Sequence, residues 1–213
     1  ATSTTVLMDK AKTVTANYVT QYYVTFAVNP SGAGSTSPGT DWRDAGSTSI
    51  SATANPGYVF SSWASSTSSF TFDDSTKAST TSTISGPGTI TANFLIETTV
   101  TYSGAETGEY SDAAMLKATL LDAFNNPLSG KTIAFTLSGG SLTATATTDP
   151  SGVAQTSLIL NQASGSYTLT ASFAGDSTYA ASSATPTFTI TKEPATLAYT
   201  GDASLLTTAT SFT

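Results

Sequence analysis

The sequence contains no cysteine and no histidine. That removes the Ser-His-Asp and Cys-His arrangements of nucleophilic catalysis, along with the usual zinc ligand sets. Charge is also scarce. Charged residues make up 10% of the chain, and 7 Lys and Arg stand against 14 Asp and Glu for a net charge of −7. No basic stripe exists to neutralise phosphates, so nucleic acid is not an expected partner. No apolar run approaches the roughly 20 residues that a spanning helix needs, so membrane insertion is not expected in this segment. There is neither a phosphate loop nor a dinucleotide fingerprint, and no cofactor is expected. The missing cysteines leave the compartment open, because a reducing cytosol and a secreted β-protein both accommodate them.

What the chain has is hydroxyl and alternation. Ser and Thr together are roughly a third of the residues, well above ordinary globular usage. Thr suits strands, and Ser and Gly suit turns. In residues 122–179 every apolar run is short, alternates with Thr or Ser, and stops at Gly, Pro, Asn or Asp. Ile133, Phe135 and Leu137 share one strand face, as do Tyr167, Leu169, Ala171 and Phe173. Thr132, Ala134, Thr136, Thr168, Thr170 and Ser172 fall on the opposite faces. Two such sheets with their apolar faces together give an all-β sandwich.

The motifs NPLSGKTIAFTL, TTDPSGVAQTSL, GSYTLTASFAGDSTYAASS and TFTITKE follow one another in residues 97–193. In this order they resemble the bacterial immunoglobulin-like repeats of surface proteins and adhesins. The resemblance implies an Ig-like β-sandwich and an extracellular architectural role, not a ligand. Upstream, AGSTSISATANPGYVFSSW with a closing TITANF resembles the divergent internalin-type B repeats of bacterial and archaeal surface proteins, which implies a small, mostly-β unit. Its first strand is read at residues 22–28, with Val24, Phe26 and Val28 on one face, and another at 47–54. Residues 61–77 show no regular period.

Internal repetition sets the expected boundaries. TVTANY at 13–18 recurs as TITANF at 89–94, a shift of 76 positions, and TVTYSG at 99–104 recurs as TLAYTG at 196–201, a shift of 97. Residues 1–18 then read as the C-terminal strands of a preceding B-type repeat, 19–96 as a complete one, 97–193 as the Ig-like sandwich and 194–213 as the opening strands of a further Ig-like repeat. Strands at the two ends would expose unpaired backbone and invite strand addition. Val14, Ala16 and Tyr18 at one end, and Leu197 and Tyr199 at the other, are the candidate strand-exchange residues. The expected partners are therefore neighbouring modules or identical subunits.

Candidate chemistry is thin. Asp73 with Asp74, and Glu106 with Glu109, are close carboxylate pairs, but both lie in polar, turn-like sequence and read as solvated surface groups. Asp122, Asp149 and Asp176 could supply oxygens to calcium, yet Asp at a turn ordinarily bonds its own backbone. Lys117 alternates with Met115 and Thr119, opposite Leu116, Ala118 and Leu120, and so faces outward rather than into an isopeptide bond. Among the aromatics, Tyr58 and Phe60 share a face and Trp63 reads as a core plug. Trp42, between Asp41 and Arg43, is the candidate glycan contact. The expected function is a non-catalytic extracellular structural protein, a tandem-repeat stalk, filament or surface-array segment. The alternative is a carbohydrate-binding or adhesive accessory module of a secreted protein or enzyme.

Overall fold

A computed structural model describes residues 5, 7, 9–13, 15–140 and 142–195. Every regular element in them is a strand, and the chain divides into two compact units. The first comprises Ala1–Glu97 with Gly175–Ala180, and the second Thr98–Ala174 with Ala181–Thr213.

The first unit holds β1 (Gln21–Asn29), β2 (Gly34–Ser37), β3 (Asp41–Asp44), β4 (Gly46–Ala54), β5 (Tyr58–Ser65), β6 (Phe70–Phe72), β7 (Ser79–Ile84) and β8 (Gly88–Ile96). They form two four-stranded sheets, in the orders β3-β1-β8-β5 and β2-β4-β7-β6. Val24 of β1, Ile50 and Ala52 of β4, Ile84 of β7, and Ile90, Ala92 and Phe94 of β8 are buried in one cluster with Trp63 and Phe70. Period-two alternation puts each of them on the inner face. The alternation breaks once. Tyr58 and Phe60 are even-numbered and Trp63 is odd, yet all three pack on the same core. A register shift between Phe60 and Ser62 in the β5–β8 pairing accounts for it: one extra residue turns Trp63 back to the inside. The Trp63 indole N–H donates to the Lys77 carbonyl at 3.1 Å, so the plug carries no unmet donor. Part of the aperiodic stretch 61–77 is thus ordered strand, the end of β5 and all of β6.

β1 and β8, the first and last strands of this unit, pair in parallel from Val24↔Gly88 to Asn29↔Asn93. The Phe26 N–H points away from β8, to the Thr40 hydroxyl at 2.9 Å. Alternation therefore turns the Thr25 and Ala27 N–H groups toward β8. Phe94 closes against Gly34, where an added Cβ would lie 2.6 Å from the ring tip and 2.4 Å from the Thr53 carbonyl oxygen.

The second unit holds β9 (Thr98–Tyr102), β10 (Thr107–Glu109), β11 (Ala113–Asp122), β12 (Thr132–Leu137), β13 (Thr143–Thr147), β14 (Val153–Ile159), β15 (Gly165–Phe173), β16 (Ser182–Ala184) and β17 (Thr187–Thr191). One sheet runs β10-β17-β15-β12-β13 with β16 also on β15, and the other runs β14-β11-β9. This is the expected sandwich. Ile133, Phe135, Leu137, Leu169, Ala171 and Phe173 are buried, together with Leu116, Ala118 and Leu120 of β11. Lys117 lies on the other face of β11, half-buried and opposite Gln155. Here too an early and a late strand run in parallel, β10 with β17, over three residue pairs.

Candidate functional site

The outer face of the sheet β3-β1-β8-β5 carries the most distinctive surface chemistry. Trp42 is 59% exposed, as the sequence suggests, and sits on the edge strand β3. Its register partner on β1 is Tyr23, 47% exposed, and the two rings meet at 5.7 Å between centroids and 71° between planes. Arg43 turns the other way, half-buried, and donates to the Gly39 carbonyl at 2.6 Å. Beside the rings the Gln21 amide donates to the Asp44 carboxylate at 2.7 Å. Further across, Thr25 lies opposite Thr89, and the Asn29 amide donates to Asn93 Oδ1 at 3.0 Å. The face is thus an aromatic corner continued by hydroxyl and amide groups. None of the outward positions of its four strands is Lys or Arg.

Tyr23 is absent from the sequence-derived candidates. Its outward direction was legible, since Val24, Phe26 and Val28 define the inner face. Its meeting with Trp42 depends on the β1–β3 register, which no local motif specifies. Of the other aromatics weighed for a sugar face, Trp63 is buried, and Tyr58 is partly buried against the core.

Val14, Leu197 and Tyr199 lie outside the described residues. Ala16 and Tyr18 are exposed, Tyr18 at 92%, and neither belongs to a strand. Tyr18 is the repeat counterpart of Phe94. Replacing β8 by its upstream copy would set a phenolic hydroxyl where the Phe94 ring tip already meets Gly34.

The three aspartates weighed for calcium are turn formers. Asp122 Oδ1 accepts from the Phe124 and Asn126 amides, Asp149 Oδ1 from Ser151 and Val153, and Asp176 Oδ1 from Thr178 and Tyr179, all at 2.8–3.0 Å. Asp122 is only 7% exposed, and its Oδ2 accepts from the Asn126 side-chain amide at 3.0 Å. Burial pushes its carboxyl up, but the bonds from Asn126 and Phe124 outweigh burial and hold it below the ordinary carboxylate value. Asp74 is held low chiefly by the Thr76 hydroxyl and amide, the wrong direction for a general acid. Glu106 and Glu109 are exposed. Among the described residues no three acidic side chains converge as a metal site would require, and no helix is long and apolar enough to cross a membrane.

These features define a class, tandem all-β modules with hydroxyl-rich surfaces. Residues 24–98 match the family model of the divergent InlB B-repeat domain, and residues 97–189 match that of the bacterial Ig-like domain (group 1). Together the two matches indicate modules of an extracellular surface protein. Among solved structures, the chain is similar to the D0-D1 domain of intimin, at 15% identity over 67% of this chain and 89% of that one, with a TM-score of 0.29. It is also similar to titin domains z1z2 in complex with telethonin, at 14% identity over 86% of this chain and 100% of that one, with a TM-score of 0.25. No curated protein matches the chain.

Proposed function

We propose that this chain is a non-catalytic spacer of an extracellular protein, in which each module resists tension applied along the chain. The observation that carries the reading is the parallel pairing of early and late strands in both units, β1 with β8 and β10 with β17. When the two ends of a module are pulled, parallel strands near those ends slide against each other, so their inter-strand bonds share the force. An antiparallel terminal hairpin would instead open one bond at a time. The family matches and the scarcity of catalytic residue types support the same reading. Neighbouring modules or copies of the chain are the proposed partners.

Pulling the full chain by its ends tests this. Two separate extensions are expected, on the order of 250 Å for the first module and 300 Å for the second at about 3.6 Å per released residue. The second should yield at lower force, because its parallel patch is shorter. Ala27→Pro removes an N–H directed at β8 in mid-strand and should cost about 1 kcal/mol or more for that ladder bond. It should abolish the high-force event of the first module. Extension at negligible force in the unmodified chain would refute the proposal.

A further inference from the structure

We infer that the aromatic corner formed by Trp42 and Tyr23, with the polar face beside it, is a binding surface for a neutral polysaccharide. Large rings are ordinarily buried on folding, and the first unit does bury Trp63, Phe70 and Phe94. Trp42 and Tyr23 instead stay exposed side by side at a sheet edge. The core does not need them, because β3 is held by its pairing with β1.

The surroundings select the ligand class. A pyranose ring offers an apolar C–H face and a rim of hydroxyls. Trp42 supplies a flat apolar surface for the former, and Tyr23 stands at 71° to it as a side wall. Gln21, Thr25 and Asn93 on the same face supply donors and acceptors for the rim, and Asp44 adds a carboxylate that already accepts from Gln21. Asp44 is the one charged side chain at the outward positions of β1, β3 and β8, and with no Lys or Arg beside it the face disfavours sulfated, uronic or phosphate-bearing polymers. Neutral glycan is the class left. A second copy of the chain is less suited, since it would bury the Asp44 carboxylate against another acidic surface. The inference is independent of the tension reading, because a spacer resists force with or without a ligand on one sheet.

The test is affinity electrophoresis of the full chain through gels containing hydroxyethylcellulose, xylan or pullulan, with hyaluronan as the anionic comparison. Retardation is expected with at least one neutral polymer and not with hyaluronan. Trp42→Ala should weaken it about tenfold or more, and Tyr23→Ala severalfold. Both side chains are exposed, so unchanged circular dichroism and an unchanged emission from buried Trp63 would show that the variants fold. Three results would overturn the proposal: no retardation by any of the three neutral polymers, retardation that Trp42→Ala leaves intact, or retardation by hyaluronan alone. Self-association that disappears in Trp42→Ala, without glycan binding, would also overturn it and assign the corner to a protein contact.

Discussion

The two modules solve the same problem by different means. The Ig-like unit keeps strict alternation along β11, β12 and β15, and its irregularity is confined to turns whose aspartates cap their own backbone. The B-repeat unit carries its irregularity inside a strand, where the β5 bulge turns Trp63 into the core. In the second unit a side chain's role follows from its position in the alternation. In the first it does so too, except in β5, where a single inserted residue resets the phase. Distinctive surface chemistry is found in the unit with the looser grammar, where the Trp42–Tyr23 corner lies on the sheet that contains the bulge.

The sharpest way to break this comparison is to remove the plug. Trp63→Ala should cost about 3–5 kcal/mol and collapse hydrogen-exchange protection in β1, β4 and β8. A loss below about 1 kcal/mol would mean that the bulge does not organise the core. In the second unit the counterpart is a turn. Asp122→Ala should cost about 1 kcal/mol by removing the acceptor of the Phe124 and Asn126 amides. Because the folded carboxyl is held below its unfolded value of about 3.9, its contribution is present above that pH and is lost as the pH falls through the folded value. Acid titration of stability in the native chain and in Asp122→Ala checks this.

Tyr102 gives a smaller effect at the opposite pH extreme. It packs on Phe135 at 6.4 Å between centroids and donates to the Ala105 carbonyl at 2.5 Å. Burial, with a smaller push from Glu106, raises its hydroxyl to about 12. The unfolded chain ionises this group first, so its contribution is whole below about pH 10 and fades as the pH rises toward 12. Tyr102→Phe should cost about 1 kcal/mol near neutrality and remove that alkaline slope. The smallest change has the opposite sign. Ser82 is fully buried in the first unit, and its hydroxyl has no partner among the described residues. Ser82→Ala should therefore be neutral or raise stability by about 1 kcal/mol in a denaturant melt.

Much of this architecture was legible in the residues. The alternation at 132–137 and 167–173 gave the faces of the Ig-like core, and Val24, Phe26 and Val28 gave the inner face of β1. Residues 61–77 were opaque because a bulge breaks the period on which such reading depends, and β6 is only three residues long. At the candidate site, Trp42 was recoverable because polar neighbours marked it as exposed. Tyr23 was not, because its significance lies in a cross-strand pairing fixed by the whole sheet. The parallel pairing of β1 with β8 is non-local in the same sense. The repeat at 13–18 and 89–94 marks the strand but says nothing of its neighbour.

Shear between parallel terminal strands is the claim on which the spacer reading turns, and one pulling experiment isolates it. The chain has no cysteine, so introduced pairs give unique handles. Thr20→Cys with Glu97→Cys loads β1 and β8 along their length, whereas Thr20→Cys with Pro87→Cys pulls their adjacent ends apart. The first pair should need roughly twofold the force of the second or more, because all the ladder bonds then share the load. Equal forces in the two geometries would contradict the account.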